Sequence, residues 1–560
     1  MRYRSTLYLC ILILSGLYAL KALFHPGFFT SLDGWHNIAR LYHYGQAVGD
    51  GQIPPRWISQ LASGYGYPLF LFSFHAPWII ALPFLFMGIS VITSVKIVLL
   101  VGFVLSGVVM YLWLREVLGE EAGFIAGFIY MWTPYRFSKI LVGASVGEAT
   151  VFLFLPLLFW GLSRVGKGKS RSGVLLGSLG FSGLILSHFM VLPLASVFIA
   201  LFIFSLIFQA KEKVILLKRF SYLFLLGLIL SAFYLLPLIA YSNDIKAKTM
   251  QAGFSTLYEN HFVTLNQLIY SKWGYGPIIH SAKDGEISFQ IGIAQWLGVI
   301  LSLVILVKNR IKKSKTSFLI FPSLLAFILS IVFMIDVSRF LWNLVHSYIF
   351  VDYPWRFLSL TTFTGAILVG VIVSHFSRFR FLLAVFFMVI SLYTNKNHVR
   401  VNQYTDIPLQ LYIDSEVTTN TFSEYLPKWT NIDVGKRPES FIEPSEQVTS
   451  IVKRVKTNSI DAMVTVQKKT MASVNHLFFP GINLFIDGRQ TSYTYDSNGK
   501  LNLFLPQGEH GVEVKFTPTK FMRFADGLSL TAIVVWVFLF AGEIRQWIFR
   551  KKLFLKAKRT

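Results

Sequence analysis

The sequence predicts a polytopic α-helical membrane protein of about twelve spans, with one small β-sandwich outside the membrane near its C-terminal end. Three observations predict it. Of 560 residues, 54% are hydrophobic and only 14% charged, against about 25% charged in an ordinary soluble domain. Apolar runs of about 20 residues, enough to cross a bilayer, recur almost end to end. Between residues 395 and 525 the composition turns polar and strand-like.

Spans are expected at 5–24, 93–114, 122–142, 149–165, 172–188, 190–209, 219–241, 287–307, 317–336, 356–376, 379–394 and 526–543. The basic clusters then all fall on one side: Arg2 and Arg4, Arg115, Arg164 through Arg171, Lys211 through Arg219, Lys308 through Lys315, Arg378 with Arg380, and Arg545 through Arg559. Loops rich in Lys and Arg face the cytoplasm. Both termini are therefore expected inside, in a multi-pass protein of the cell (plasma) membrane. The net charge of +24 reads as this asymmetry plus attraction to anionic headgroups, not as a nucleic-acid surface. Residues 1–24 resemble a signal peptide, but no small-residue cleavage site follows, so they are read as a retained first span. The 53 Phe residues suit lipid-facing helices and an interfacial belt. The single cysteine, Cys10, excludes an internal disulfide and a Cys-based metal site.

Residues 69–90 are apolar enough to span, yet a crossing there would put the Lys-rich loops outside. His75, Pro77 and Pro83 interrupt the run. It is read as a re-entrant or juxtamembrane segment, since irregular backbone at membrane depth survives only when buried in protein. Three units result: a transmembrane module over 1–394, an extracytoplasmic β-rich domain over 395–525, and a last helix with a basic tail over 526–560. Alternating runs at 463–467, 483–488, 501–506 and 512–516, with an Asn498-Gly499 turn, predict the antiparallel strands.

Polar candidates gather on the outer side. Asp33, His36 and Arg40 stand at i, i+3 and i+7, one face if this loop is helical. A carboxylate beside an imidazole can act as a general base, and Asp33 suits an N-cap equally well. The Gly- and Pro-rich stretches GDGQIPPRW (Gly49–Trp57) and GYGYP (Gly64–Pro68) make a rigid loop that either frames a cavity or anchors at the interface. Arg136 and Lys139 near the outer end of one span, and Glu148 at the start of the next, are ionisable groups near bilayer depth. Such groups mark functional sites or snorkel to headgroups. Arg356, in the run YPWRF (Tyr353–Phe357), presents a fork that matches a phosphate, including any phospholipid's. P-loop, HExxH and GxSxG motifs are absent, which argues against nucleotide hydrolysis on this chain.

Several of these runs carry a family resemblance. Asp33-Gly34-Trp35-His36, GDGQIPPRW, GYGYPLF, TPYRF at 133–137, VGASVGE at 142–148, LSHF at 186–189, QLIYSKWGYG at 267–276 and YPWRF resemble the prokaryotic membrane proteins labelled "6-pyruvoyl-tetrahydropterin synthase-related". The label is a name and implies no pterin chemistry. The run FFPGINLFIDGR and the segment from Gly499 to Thr519 resemble the outer domain of YfhO-like membrane proteins. Both groups are similar to the GT-C glycosyltransferases. That resemblance implies a GT-C-like fold and an inverting transfer of sugar from a polyprenyl-phosphate donor to an extracytoplasmic glycan, lipid or protein acceptor. By position it implies that Asp33 is the catalytic base and Glu148 a second acidic residue, where many relatives have Asp. Arg356 and Arg136 would steady the leaving phosphate, with His36 or Arg56 assisting. Arg40, Tyr67, His261, Trp273, Tyr275 and Trp355 complete the expected substrate contacts. No cofactor is required; Mg²⁺ or Mn²⁺ between Asp33 and Glu148 is compatible with oxygen ligands.

Two other readings compete. A transporter or flippase of lipid-linked glycans fits the number of spans, but such folds show repeats and midplane sites, whereas the charged candidates here cluster at outer helix ends. A non-catalytic scaffold presenting the β-domain needs no aligned Asp, His and Arg.

Overall fold

The computed structural model describes residues 2–247, 258–276, 287–308, 317–345 and 353–557. Parts of the loops expected before the 287–307 and 356–376 spans, the basic residues Arg310, Lys312, Lys313 and Lys315, and Lys558 with Arg559 at the tail lie outside the described residues. Each expected span contains helix, although the 287–307 span is helical only from Ile293. Six helices among the described residues are long and apolar enough to cross a membrane: Val91–Leu118, Val146–Gly166, Val191–Gln209, Pro354–His375, Ser377–Asn395 and Lys520–Gln546. Two bent pairs raise this to eight: Lys213–Leu230 with Ala232–Asp244, bent by 73°, and Phe318–Met334 with Asp336–Leu344, bent by 87°. The chain is thus a helical membrane protein; helix length and composition give six to eight candidate spans among the described residues, against the twelve expected.

The expected 122–142 span is interrupted. Helix Glu120–Met131 stops, Thr133 is extended (φ −114°, ψ 139°), and a short helix, Pro134–Phe137, runs into a π-turn over Ser138–Val142. Pro134 explains the break, because proline disfavours helical backbone at the residue before it and offers no N–H. The freed carbonyl of Trp132 is taken by Ser391 Oγ at 2.5 Å and Asn395 Nδ2 at 2.9 Å, as apolar surroundings demand. The 69–90 segment is two short helices, Leu69–Phe72 and Ala76–Phe86. Eleven residues cover about 16 Å, roughly half a bilayer core. His75 pins the break: its Nε2 donates to Phe70 O at 2.9 Å and its Nδ1 accepts from Tyr44 Oη at 3.0 Å.

Helix Val146–Gly166 packs on helix Ser170–Ser187 through glycines. A Cβ at Gly161 would lie 2.3 Å from the Gly177 backbone. Small residues let helix backbones approach this closely within a membrane. Part of the Phe content packs inside the bundle, while Phe204, Phe208 and Phe538 are exposed on their helices. Phe159, Phe198, Phe202 and Phe363 are buried together around Trp113, with Phe159 and Phe198 stacked at 4.7 Å.

Outside the bundle, helix Gly34–Gly49 lies in the loop after the first expected span. Strand β1 (Phe28–Phe29) pairs with β2 (Tyr404–Thr405), fastening this loop to the segment after residue 395. Eight further strands follow: β3 (Val448–Lys456), β4 (Ser459–Val466), β5 (Thr470–Leu477), β6 (Ile482–Ile486), β7 (Arg489–Thr491), β8 (Thr494–Tyr495), β9 (Lys500–Leu505) and β10 (Gly508–Phe516). They form two antiparallel sheets of order β3-β4-β10-β6-β7 and β5-β9-β8 around a common core. Each alternating run of the sequence lies on a strand, and Asn498-Gly499 turns β8 into β9 with Gly499 at φ +79°. The Gly- and Pro-rich loop is mortar between the layers. Trp57 is fully buried in the sandwich core, stacked on Phe516, and Gly66 at φ +90° leaves room for its ring, 2.3 Å from where a Cβ would stand. Thr457 donates from both N–H and Oγ1 to Asp50 at 2.8 Å.

Gly161→Val should lower stability by about 1–3 kcal/mol through overpacking. Gly527→Ala, where a Cβ meets nothing within 4 Å, should be neutral or stabilise by up to about 1 kcal/mol. Thermal unfolding in detergent compares the two.

Candidate functional site

The break at Pro134 and the turn that follows bring three distant segments to one point. Glu148, at the start of helix Val146–Gly166, is 1% exposed. Its Oε1 receives Lys139 Nζ at 2.7 Å and an Arg356 guanidinium nitrogen at 2.7 Å. Its Oε2 accepts from Tyr135 Oη at 2.9 Å. Trp355 forms a wall, its ring centroid 4.4 Å from Lys139 Nζ. Two cations against one carboxylate leave the cluster with net positive charge.

Asp33 docks beside this cluster by backbone. Leu32 N–H donates to Val142 O at 3.1 Å, Asp33 N–H to Gly143 O at 2.9 Å, and Asn37 Nδ2 to Ala144 O at 2.9 Å. Ala144 takes φ +51° to complete the turn. Asp33 is the N-cap of helix Gly34–Gly49, yet its side chain makes no capping bond. The residue is exposed to solvent while protein atoms crowd around its carboxyl group. Burial pushes its carboxyl above the ordinary range, and the charges of Lys139, His36, Arg40 and Arg356 pull it part of the way back. Of the two carboxylates, Glu148 is saturated with partners and Asp33 is available.

The other expected residues divide. His36 lies one turn from Asp33, its Nδ1 paired with Glu416 at 2.6 Å. Trp355 and Arg356 are in the cluster. His261 is buried edge-on to Tyr353, at 4.5 Å, behind the same wall. Several expectations need correction. Arg136 does not face the site: it is fully buried in the bundle, 4.0 Å from the Phe152 ring centroid, and donates to Ser106 Oγ at 2.9 Å. Arg56 is bound to Asp526 on the last helix at 2.5 and 3.1 Å, so it fastens the outer loop instead of holding a phosphate. Arg40 donates to Thr419 O at 2.6 Å and to Asn420 Oδ1. Tyr67 Oη is buried and accepts from Asn420 Nδ2 and the Tyr425 N–H, both at 3.0 Å. Trp273 stacks on His398 at 4.4 Å, and Tyr275 donates to Arg400 O at 3.3 Å; both are held by the 398–400 turn.

The residues present do not fit a divalent cation between Asp33 and Glu148. Both Glu148 oxygens are occupied by cationic or hydroxyl donors, and the described residues contain no group of three or more His, Cys, Asp or Glu able to hold a metal.

Sequence reasoning passed over Lys139 as a site group and missed Glu416 and Glu424. Glu424 is buried with Oε2 unpartnered among the described residues; burial raises its carboxyl, with Arg40 and His36 among the groups opposing. The Pro134 signal could have found Lys139. Nothing local marks the two glutamates, which reach helix Gly34–Gly49 from nearly 400 residues away.

No protein-family model matches the chain. A curated Lactococcus lactis subsp. cremoris (strain MG1363) protein, described as uncharacterized, is 26% identical over 248 residues, covering 42% of this chain and 40% of the relative. Among solved structures, the apo oligosaccharyltransferase of Archaeoglobus fulgidus is similar with TM-score 0.48 and 11% identity, over 76% of this chain and 61% of that one. The arabinofuranosyltransferase AftD from Mycobacteria is similar with TM-score 0.42 and 13% identity, over 73% and 28% of the two chains. The chain thus spans about two fifths of the curated relative and about three fifths of the oligosaccharyltransferase.

Glu148→Gln should cost about 3–5 kcal/mol, because it leaves two buried cations undercompensated. Arg136→Met, which removes a buried guanidinium lacking a carboxylate partner, should change stability by less than about 1 kcal/mol or raise it. Thermal melts of the two variants against the parent check both.

Proposed function

We propose that the chain is a membrane glycosyltransferase that moves a sugar from a polyprenyl-phosphate-linked donor to an acceptor hydroxyl at the extracytoplasmic face, with inversion. The observation that carries this reading is the available Asp33 carboxylate beside a net-positive Lys139–Glu148–Arg356 cluster at the ends of apolar helices, the ends that the basic loops predict to face outward. A lipid-linked donor keeps its tail in the bilayer and its phosphate at headgroup height. Asp33 takes the proton of the acceptor hydroxyl. That oxygen attacks the anomeric carbon from the face opposite the phosphate. The bond from the anomeric carbon to the phosphate oxygen breaks as the new glycosidic bond forms. The departing phosphate gains negative charge beside Lys139 and Arg356, which are already fixed and need no reorganisation. Glu148 positions the two cations, and His36 with Glu416 lies along the acceptor side.

The test incubates detergent-purified protein with radiolabelled polyprenyl-phosphate sugars and glycan, lipid and peptide acceptors. Transfer by the parent chain, reduced at least about 100-fold in Asp33→Asn, is the expected result, matching the usual contribution of a general base. Equal transfer by both removes Asp33 from the mechanism. Transfer by neither, with flux of lipid-linked sugar across liposomes, replaces the reading with a flippase.

The raised Asp33 carboxyl has two consequences. The base works when deprotonated, so the acid limb of kcat/KM should lie above the ordinary carboxylate value of about 4, with activity rising through it. Between the unfolded and the elevated folded value, the folded state holds more protons than the unfolded one. Stability from this group therefore falls as pH rises. At pH 7 the charge is a cost, and Asp33→Asn should melt at or above the parent temperature while activity is lost.

A further inference from the structure

Further along helix Gly34–Gly49 a cavity of about 630 Å³ opens between this helix, the 413–441 segment and the β-domain. That volume is in the range of sites that enclose a ligand, about 300–1,000 Å³. Its wall is polar. Gln46 and Gln60 bring amides, and Asp414, Glu416 and Glu439 bring carboxylates, against the single guanidinium of Arg437. Two lining groups are buried without any partner among the described residues: His43 Nε2, in a residue 4% exposed, and Ser59 Oγ, in a residue 1% exposed. Buried polar atoms are normally satisfied, and these two belong to residues of the cavity wall. Burial holds the His43 imidazole down to about 4, so at neutral pH it is uncharged, with one ring nitrogen donating and the other accepting.

One helix links the cavity to the proposed chemistry. Asp33, His36, Arg40 and His43 recur at 3-, 4- and 3-residue steps along one helix face, which spans about 15 Å from first to last. Glu416 both lines the cavity and holds His36. Thr419 and Asn420 hold Arg40, so the 416–420 segment runs along this same face.

Resting on the transfer reaction above, we propose that this cavity is the acceptor site and that it binds an uncharged, polyhydroxylated glycan of a few sugar units. The excess of carboxylates repels a phosphorylated donor and separates it from the cationic cluster at Lys139 and Arg356. Carboxylates, amides, a hydroxyl and a neutral imidazole together accept from and donate to vicinal hydroxyls, and Tyr42 and Phe441 on the lining supply faces for sugar rings. The glycan's end is led along the helix face toward Asp33.

The test presents the full-length protein in detergent to a printed array of neutral, uronic-acid and sulfated oligosaccharides of two to six units, with a peptide array beside it. Neutral glycans should bind. Gln60→Ala and Glu439→Gln, both at exposed lining positions, should each weaken binding by about tenfold, the worth of a hydrogen bond to a ligand. No neutral glycan bound, preference for anionic glycans or for peptides, or binding unmoved by both cavity substitutions overturns the inference. The two readings fail separately. Cavity-dependent glycan binding without transfer under any condition sinks the transferase reading and leaves the cavity. Transfer with an acceptor KM unmoved by both cavity substitutions sinks the cavity and leaves the transferase.

Discussion

The architecture around the site depends on one carboxylate. Glu148 receives Lys139, Arg356 and Tyr135 at once, and those partners come from the broken helix after Pro134 and from the entry to the Pro354–His375 span. A desolvated carboxylate is tolerable at that depth only when paired and hydrogen-bonded. With Glu148 neutralised, the turn from Ser138 to Ser145 is fixed, and that turn supplies the carbonyls on which Leu32, Asp33 and Asn37 dock. Asp33 is thus held in place through its backbone, which leaves its side chain uncommitted. A group used for proton transfer requires that arrangement: position set by one set of contacts, reactivity left free by another.

The outer layer is built to hold a second wall in register with the first. The Gly- and Pro-rich loop sends Trp57 into the sandwich core and Arg56 to Asp526 on the last helix. Tyr67 grips Asn420 and Tyr425. These contacts lay the 416–424 segment along helix Gly34–Gly49, where Glu416 and Glu424 join a face already carrying Asp33, His36 and Arg40. Residues that looked like ligand contacts in the sequence are here the means by which one strand of chain is pressed against another.

Much of the fold was legible because its signals are local. Apolar length marked the helices, period-two alternation marked β4, β6, β9 and β10, and Asn498-Gly499 marked a hairpin. The 3-and-4 spacing of Asp33, His36 and Arg40 placed them on one face, which the structure retains. The identity of the site cation was not legible. Arg136 and Lys139 are three residues apart and would share a face in a continuous α-helix. The break at Thr133 and the π-turn from Ser138 change that relation, so Arg136 enters an aromatic box in the bundle and Lys139 meets Glu148. The place of each phenylalanine was not legible for a related reason: composition counts rings, but only packing says that Phe159, Phe198, Phe202 and Phe363 meet one another while Phe204, Phe208 and Phe538 stay exposed on their helices. Glu416 and Glu424 could not be found at all, since their place at the site is a product of tertiary contacts with a loop hundreds of residues earlier.

The central claim is that Asp33 alone of the two carboxylates is open to water from the outer face, beside a net-positive field. Thiol accessibility measures this directly. In a chain with the exposed Cys10 changed to Ser, Asp33→Cys in sealed cells or right-side-out vesicles would be treated with membrane-impermeant thiosulfonates of opposite charge. The account predicts labelling from outside, faster by the sulfonate than by the trimethylammonium reagent. Protection from both reagents, or faster labelling by the cation, would contradict it.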